Sequence, residues 1–229
     1  DDVESRGLGD VYKRQVQTVR DKLSVLKEYF GHDSFREGQD RITDSLLGGR
    51  DVLGIMPTGA GKSICYQVPA LMFDGITIVV SPLISLMKDQ VSALVQSGVA
   101  AAYINSSLTH AQYLKVLQNT ESGKYKIIYV APERLCAPAF LGICRNLNIF
   151  MVAVDEAHCV SQWGQDFRPS YLKIPDFIDA LNSRPVVGAF TATATGAVRD
   201  DIKTLLRLVS PLVVTTGFDR PNLFFSVMQ

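Results

Sequence analysis

The sequence predicts an α/β fold in which helices cover both faces of a parallel sheet, so that the domain has three layers. Apolar runs rich in β-branched residues recur along the chain, and segments with helical spacing separate most of them. The runs are continuously apolar rather than alternating, as is typical of parallel strands buried on both faces. The predicted strands are residues 51–56, 76–80, 101–105, 126–130, 150–154, 186–190 and 212–216.

Two helices are predicted ahead of the first strand. Apolar residues recur at three- and four-residue steps from Val16 to Phe30, and a second helical segment ends at Gly48. Residues 1–15 are rich in charge and lack periodicity, so we expect a disordered or foreign leader there. Residues 16–216 are expected to form one domain.

The composition is that of an ordinary globular protein. The chain has 229 residues, of which 47% are apolar and 20% charged, and its formal net charge is zero. A neutral chain lacks the overall basic character of many nucleic-acid-binding proteins, so any such binding must come from a local surface.

The cysteines and the hydropathy exclude several classes of protein. Cys65, Cys136, Cys144 and Cys159 form no C-x-x-C pair and have no histidine at metal-ligand spacing, so we expect neither zinc nor a disulfide framework. No run is long and apolar enough for a membrane span, and no signal-peptide core is present. We expect an intracellular protein, in the cytoplasm or nucleoid if its source is bacterial.

A glycine-rich stretch between the first strand and a helix predicted at 64–72 indicates a phosphate-binding loop. Its sequence is Met56-Pro57-Thr58-Gly59-Ala60-Gly61-Lys62-Ser63. Gly59 and Gly61 let backbone N–H groups approach an anion, and the following helix adds the positive end of its dipole. Lys62 would contact the β- and γ-phosphates and Ser63 would bind Mg²⁺, although the full pattern G-x-x-x-x-G-K-[ST] has glycine where this chain has Met56.

A pair of acids follows the predicted strand 150–154. Asp155 at the strand tip can reach the Mg²⁺ held by Ser63, and Glu156 can orient and deprotonate the water that attacks a γ-phosphate. Taken alone, such a pair is more often two solvated acids at the start of a loop.

These motifs resemble those of superfamily 2 helicases, whose phosphate loops often lack the first glycine, and most closely those of RecQ DNA helicases. The resemblance covers roughly residues 23–227. Besides the phosphate loop, the motifs that carry it are Phe35-Arg36-Glu37-Gly38-Gln39, Ser81-Pro82-Leu83-Ile84-Ser85-Leu86-Met87-Lys88-Asp89-Gln90, Ala131-Pro132-Glu133-Arg134-Leu135, Asp155-Glu156-Ala157-His158-Cys159, Ser161-Gln162-Trp163-Gly164-Gln165-Asp166-Phe167-Arg168-Pro169 and Thr191-Ala192-Thr193-Ala194.

The resemblance implies a RecA-like P-loop NTPase lobe that binds ATP with Mg²⁺. Gln39 matches the residue that reads adenine through its side-chain amide, and Arg36 matches a guanidinium that stacks on the base. His32 would cover the other face of the adenine, where the family often has a larger aromatic residue. Thr58, Gly59, Ala60 and Gly61 would surround the phosphates together with Lys62 and Ser63.

The resemblance also implies a face that binds single-stranded or partly duplex DNA. Ser81 and Lys88 suit phosphate contacts, whereas the apolar residues between them suit core packing. Trp163, Phe167 and Arg168 resemble the aromatic-rich loop that couples DNA contact to ATP hydrolysis in RecQ enzymes, although a lone Trp is more often buried.

A coupling role is implied for His158 and for the hydroxyls of Thr191 and Thr193. The segment 191–194 could instead be only a tight strand-to-helix turn capped by Thr195.

The segment 218–223 resembles the start of a second motor lobe, so residues 217–229 are expected to begin that lobe. We expect the full protein to be an ATP-dependent DNA helicase of 3′-to-5′ polarity. The present chain would lack the second lobe and the family's zinc-binding and winged-helix parts, and would bind nucleotide weakly and hydrolyse it poorly.

Two other classes are weighed against this one. A small-molecule phosphotransferase would share the loop but not the Asp-Glu-Ala-His motif, and a non-catalytic nucleic-acid-binding module would not need Lys62 or Glu156.

Overall fold

A computed structural model describes residues 21–164 and 166–217. The predicted leader at 1–15, the start of the first helix at Val16, Gln165 and the predicted second-lobe residues after Gly217 lie outside the described residues.

The described chain alternates helices and strands in the predicted way. In chain order the elements are α1 (Lys22–Phe30), α2 (Gln39–Leu47), β1 (Val52–Ile55), α3 (Lys62–Met72), β2 (Ile76–Val80), α4 (Ile84–Gln96), β3 (Ala101–Ile104), α5 (His110–Glu121), β4 (Ile127–Val130), a 3₁₀ turn (Pro132–Arg134), α6 (Pro138–Arg145), β5 (Ile149–Val154), 3₁₀ turns (Ala157–Val160 and Pro169–Lys173), α7 (Ile174–Asp179), β6 (Val186–Thr191), α8 (Gly196–Leu205) and β7 (Leu212–Thr215).

The seven strands among the described residues form one parallel sheet in the order β3-β4-β2-β5-β6-β1-β7. Each lies within or overlaps one of the predicted apolar runs, so the α/β prediction is confirmed. β1, β2, β4 and β6 are buried along their whole length, as expected for strands covered on both faces.

Two apolar clusters, one on each face of the sheet, make the three layers. On one face the strands pack against α2, α3 and α4, where Leu46, Cys65 and Met87 are fully buried. On the other face they pack against α5, α6, α7 and α8, where Phe140 and Ile202 are fully buried. Among the described helices none is long and apolar enough to cross a membrane.

The ends of the helices follow from local chemistry. Gly31 ends α1 in the left-handed region, with φ of 70° and its N–H donating to the carbonyl of Lys27. Thr195 caps α8 by accepting the N–H of Val198 at 3.4 Å, so the capping interpretation of this threonine is confirmed. α3 begins at Lys62, two positions before the predicted Ile64, because Gly61 supplies the cap at φ 79°.

At the amino end of the sheet, a buried carboxylate joins three strands. Asp51 accepts hydrogen bonds from the backbone N–H groups of Val187 at 2.9 Å and Val209 at 2.7 Å. The guanidinium of Arg184 binds the same carboxylate at 2.5 Å. This contact fixes the starts of β1, β6 and β7, and it leaves the opposite end of the sheet to the loops that carry the predicted site.

Candidate active site

The three predicted motifs with nucleotide or coupling roles meet at the carboxyl ends of neighbouring strands. The phosphate loop follows β1, the acidic motif follows β5, and β6 lies between these two strands. The backbone N–H of Met56 donates to the carbonyl of Thr191 at 2.9 Å, which joins the loop to the end of β6. This is the edge of a parallel sheet at which ligands bind.

Both glycines of the loop have left-handed backbone conformations, with φ of 84° at Gly59 and 79° at Gly61. A side chain at Gly59 would meet no neighbour within 4 Å, so the conformation alone favours glycine there. At Gly61 an added Cβ would also lie 2.5 Å from Nε2 of Gln39. The sequence-based role of these glycines as turn residues agrees with this geometry.

The side chains of Arg36 and Gln39 hydrogen bond to backbone carbonyls of the phosphate loop. Nη1 of Arg36 donates to the carbonyl of Gly59 at 2.7 Å, and Nε2 of Gln39 donates to the carbonyls of Ala60 at 3.1 Å and Gly61 at 3.0 Å. Oε1 of Gln39 accepts the N–H of Arg36 at 2.8 Å. The two residues therefore lie beside the predicted nucleotide site, where they support the loop. Their contacts with adenine, and that of the exposed His32, remain predictions.

Lys62 and Ser63 open α3 at the loop. Nζ of Lys62 lies 3.3 Å from the carbonyl of Met56, and its charge also acts on Asp155 and Glu156, which follow β5. Ser63 is partly exposed and lies beside Tyr66. The structure therefore brings the cation and the hydroxyl of the loop to the same edge of the sheet as Asp155 and Glu156.

Asp155 is a buried carboxylate without full charge compensation. Its residue is 7% exposed, and its Oδ1 accepts the N–H of Glu156 at 3.0 Å. Burial, followed by repulsion from Glu156, raises the pKa of Asp155 to about 6, against the opposing effect of Lys62. A carboxylate and a hydroxyl at one edge are oxygen ligands that suit Mg²⁺, so Asp155 and Ser63 fit that ion.

Glu156 has a strained backbone at the point where the acidic motif begins. Its φ and ψ are both 47°, a left-handed conformation that a residue with a Cβ rarely adopts. Its Oε2 lies 3.3 Å from Nδ1 of His158. That hydrogen bond is the main reason that the pKa of Glu156 lies below its ordinary value, so the carboxylate is ionised near neutral pH.

A chain of polar contacts leads from Glu156 to the segment after β6. Nδ1 of His158 lies 2.9 Å from Oγ1 of Thr191, whose hydroxyl donates to the carbonyl of Thr193 at 3.0 Å. Because that hydroxyl has a single proton, Nδ1 of His158 must be protonated, and its one N–H is shared between Thr191 and Glu156. The sulfur of Cys159 and then Glu156 raise the pKa of His158 to about 10. The residues predicted to couple are thus in direct contact.

Trp163 lies on the surface, beside the residues of this series of polar contacts. The residue is 78% exposed, and its ring borders a cavity of about 150 Å³ that His158, Thr193 and Val198 also line. The sequence allowed a buried or an exposed Trp, and the structure shows an exposed one. An aromatic surface therefore lies beside the predicted coupling residues.

The other two residues of the aromatic-rich loop are half-buried. Nη2 of Arg168 binds Oδ2 of Asp166 at 2.7 Å, and Nη1 donates to the carbonyl of Pro82 at 3.0 Å. Arg168 therefore connects this loop to the segment after β2, an internal contact that the sequence did not predict. Its binding to DNA, and that of Phe167, are not seen in these contacts and stay predictions.

The two candidates in the segment after β2 differ in exposure. Lys88 projects from α4 and is exposed. Ser81 is 1% exposed, its N–H donates to the carbonyl of Val130, and its hydroxyl is buried without a hydrogen-bond partner. In this conformation Lys88 is available to a DNA phosphate and the side chain of Ser81 is not.

The described residues contain no group of three or more His, Cys, Asp or Glu side chains arranged to hold a metal ion. The four cysteines are all free thiols.

Sequence reasoning missed a set of buried polar residues on the face of the sheet that carries α3 and α4. Gln67, Gln90 and Tyr129 hydrogen bond to one another beneath the phosphate loop. The only available signal was a polar residue, Gln67, within an otherwise apolar helix turn at 65–70.

The fold and the site together define a RecA-like P-loop NTPase lobe, with a phosphate loop after β1 facing an acid pair after β5. The chain belongs to the DEAD/DEAH box helicase family, whose model matches residues 36–202.

Within that family the chain is similar to RecQ helicases and matches their N-terminal motor lobe, as the motifs predicted. It is 50% identical over 207 residues to the ATP-dependent DNA helicase RecQ of Bacillus subtilis, covering 90% of this chain and 35% of the relative. It is 46% identical over 207 residues to the RecQ of Pasteurella multocida, covering 90% of this chain and 33% of the relative. The chain thus spans about a third of the length of these relatives.

The solved structure of the DUF1998 helicase MrfA bound to DNA has the same fold. Its TM-score is 0.69 at 16% sequence identity, over 87% of this chain and 30% of that one.

Proposed function

We propose that this chain is the ATP-binding motor lobe of an ATP-dependent DNA helicase that unwinds with 3′-to-5′ polarity and hydrolyses ATP in response to DNA. The observation that supports this most strongly is the continuous contact from Glu156 through His158 and Thr191 to Thr193, beside the exposed ring of Trp163. A site that only hydrolysed nucleotide would not need its acid connected to an aromatic surface.

The phosphate loop and the acid pair support ATP with Mg²⁺ as the ligand. The backbone N–H groups of 58–61 and the ammonium of Lys62 would bind the phosphates, and Ser63 and Asp155 would hold the ion. When bound, Mg²⁺ supplies positive charge that stabilises the negative charge developing on the phosphates. Arg36 and Gln39 keep the loop in place from the side on which the adenine is proposed to bind.

Glu156 is the proposed acceptor of the proton from the attacking water. The hydrogen bond from His158 keeps its pKa low, which holds the carboxylate in the ionised form that can accept a proton. A carboxylate with a low pKa is a weak base, so the left-handed backbone and the His158 contact act mainly by orienting it. A substitution of Thr191, whose hydroxyl contacts His158, would alter that orientation.

Several features support DNA as the partner. The curated relatives are named as DNA helicases, and the neighbouring structure of MrfA contains DNA. In this chain a base could stack on Trp163, and Lys88 could contact a phosphate. The 3′-to-5′ polarity rests on the resemblance to RecQ helicases.

We further propose that a second motor lobe is needed for efficient hydrolysis. Motor ATPases of this type complete the charge stabilisation of the transition state with an arginine, which contributes factors on the order of 10³ to 10⁵. Two described guanidiniums beside the loop and the acidic motif, those of Arg36 and Arg168, are bound to internal carbonyl or carboxylate groups. The lobe alone is therefore expected to hydrolyse ATP slowly.

The test is ATP hydrolysis with and without single-stranded DNA, measured on this chain and on a chain extended beyond Gln229. We expect DNA stimulation only in the extended chain. In that chain, Lys62→Ala should remove hydrolysis and weaken nucleotide binding. Glu156→Gln should lower kcat by about 10²- to 10⁴-fold while nucleotide binding persists.

The matched control is Glu121→Gln, the same substitution at an exposed position at the end of α5, which should not change either rate. Unchanged hydrolysis in Glu156→Gln would remove its proposed role. Full DNA-stimulated activity in the 229-residue chain would overturn the requirement for a second lobe.

A further inference from the structure

A buried hydrogen-bonded group lies beneath the phosphate loop, between α3, β4 and α4. Nε2 of Gln67 donates to Oε1 of Gln90 at 2.9 Å and lies 2.9 Å from Oη of Tyr129. The Tyr129 hydroxyl lies 3.4 Å from Oε1 of Gln90. The Tyr66 side chain lies beside those of Tyr129 and Ser63, and α3 itself joins Ser63 to Gln67, one helical turn further on. These contacts form a continuous path from Ser63 to Gln90, which we call the Ser63–Gln90 path.

The Ser63–Gln90 path is closed to solvent along its middle. Tyr66 and Tyr129 are each 1% exposed, and Gln67 is 4% exposed. Polar groups are expensive to bury unless they are hydrogen-bonded, and an apolar residue at any of these positions would pack against the same core. The retention of four hydrogen-bonding side chains here therefore calls for a role beyond filling the core.

The hydrogen bonds converge on one acceptor. Tyr129 and Gln67 both donate toward Oε1 of Gln90, and Gln67 also donates to Oη of Tyr129. In such a network each donor polarises the next, so a change at Gln67 or Tyr129 affects the contact with Gln90 more than separate pairs would.

The two ends of the Ser63–Gln90 path belong to the two proposed binding sites. Ser63 opens α3 at the phosphate loop. Gln90 lies on α4, the helix that also carries Lys88, and it ends the segment whose polar residues are proposed to contact DNA. The contact through His158 and Thr191 reaches a different part of the proposed DNA face, on the other side of β5 and β6.

We propose that Tyr66, Gln67, Tyr129 and Gln90 are positioning residues that link occupancy of the phosphate loop to the placement of α4 on nucleic acid. The proposal rests on the proposed function, because it assumes that the loop binds nucleotide and that the α4 segment contacts a DNA strand. A ligand bound at Lys62 and Ser63 would fix the start of α3, and Gln67 on the same helix would pass that placement to Gln90 through their hydrogen bond. The position of α4 then depends on whether the loop is occupied.

The test measures the coupling between two ligands rather than activity. In the full-length protein, the Kd of a fluorescent oligo(dT) strand is measured without nucleotide and with a saturating non-hydrolysable ATP analogue and Mg²⁺. The ratio of the two values is the coupling factor, typically about 5- to 150-fold for linked sites. The Kd of the nucleotide, measured with and without the strand, must change by the same factor.

Tyr129→Phe removes one hydroxyl of the Ser63–Gln90 path and keeps the ring. We expect it to bring the coupling factor about 2- to 10-fold closer to one, the range expected for a buried hydrogen bond. Gln90→Leu, at a half-buried position, should do the same, and the double variant should lose little more than either single one because both break one path.

The matched control is Tyr103→Phe, which makes the same change at the residue paired in register with Tyr129 on the edge strand β3. It should leave the coupling factor unchanged. A purely structural role would lower the melting temperature and weaken both ligands without altering the ratio.

The outcomes separate the two proposals. If the wild-type protein binds neither ligand, the proposed function fails. If it binds both ligands but its coupling factor is one, the inference is overturned. The inference is also overturned if Tyr129→Phe and Gln90→Leu both keep the wild-type coupling factor. Should Tyr129→Phe not fold, Gln90→Leu decides alone.

Discussion

Trp163 is a large aromatic residue in an exposed position, whereas side chains of this type are usually largely buried. A large aromatic ring that is 78% exposed contributes little to folding, yet it borders the cavity formed with His158 and Thr193. A stacked nucleic-acid base would cover that ring and contribute roughly 1 to 3 kcal/mol to binding. The proposed stacking of a base on Trp163 would account for its exposure.

The corresponding prediction concerns Trp163→Ala in the full-length protein. We expect the affinity for single-stranded DNA to fall by roughly 5- to 150-fold, which corresponds to the loss of about 1 to 3 kcal/mol of stacking. The melting temperature should stay the same because the ring is not part of the core. Fluorescence anisotropy of a labelled oligonucleotide measures the first quantity and a thermal melt measures the second.

Leu114→Ala serves as the control, since Leu114 is 50% exposed on α5, away from the proposed site. A loss of stability without a loss of DNA affinity in Trp163→Ala would contradict the stacking role.

For single residues, the sequence predicted which side chains lie together at the sheet edge better than it predicted the contacts that each side chain makes. Lys62, Asp155, Glu156 and Thr191 meet as expected because each follows a strand of the same parallel sheet, and strand ends can be read from hydropathy. Arg168 could not be placed in this way. Its bond to the carbonyl of Pro82 joins positions 86 apart in the chain, and no local pattern reports such a contact.

The loop that follows the 3₁₀ turn Ala157–Val160 turns sharply at Gly164. An added Cβ at this glycine would lie 2.4 Å from the carbonyl oxygen of His158, a distance that neither backbone could keep. The segment that carries Trp163 is therefore held against His158, the proposed coupling residue, by a close backbone approach at Gly164 that only glycine permits.

Gly164→Ala tests that element. The loop must shift to relieve the overlap, so we expect DNA stimulation of ATP hydrolysis to fall at least several-fold while the unstimulated rate changes little. The comparison is Gly142→Ala, which lies exposed in α6 with nothing within 4 Å of the added carbon. That change should be neutral or stabilise by up to about 1 kcal/mol, as alanine favours a helix.

Equal stimulation in Gly164→Ala and the wild-type protein would show that the close approach is not needed for coupling. Rate measurements across a range of DNA concentrations distinguish weaker binding from weaker coupling.

Elements were predicted better than their interactions. Continuous apolar runs indicated all seven strands, and glycine or threonine marked several helix ends. The hydrogen bonds of Gln67 with Tyr129 were not predictable, because they join residues 62 positions apart on different elements. Sequence periodicity identifies which face of a helix is buried, but not the polar partner that this face meets.

At the scale of the whole described structure, the buried contacts of Asp51 and the loops with the proposed chemistry lie at opposite ends of the sheet. Asp51, whose side chain is 2% exposed, binds Arg184 and two backbone N–H groups at the amino end. The loops with the proposed chemistry lie at the carboxyl end. Contacts at one end can thus hold the sheet while loops at the other end rearrange.

Asp51→Ala should therefore destabilise the protein without a direct effect on the site. It leaves the N–H groups of Val187 and Val209 without their acceptor and removes the partner of Arg184, so we expect a loss of about 2 to 4 kcal/mol. Urea unfolding followed by circular dichroism measures the change, and nucleotide affinity below the transition should match that of the wild-type protein.

Asp179→Ala is the control, because Asp179 forms an exposed ion pair with Arg207. Such pairs contribute about 0 to 1 kcal/mol, so its effect should be small. Equal effects of the two substitutions would show that the Asp51 contacts do not carry the stability assigned to them.

The strand order has a further consequence for how the protein is made. β1 carries the phosphate loop, yet its sheet partners are β6 and β7, and Asp51 meets partners 136 and 158 positions further along the chain. On the ribosome the loop is therefore synthesised long before the strands that hold it. We expect the proposed nucleotide site to form only after β6 and β7 have emerged, and synthesis interrupted earlier should leave β1, an apolar strand, exposed to chaperones or aggregation.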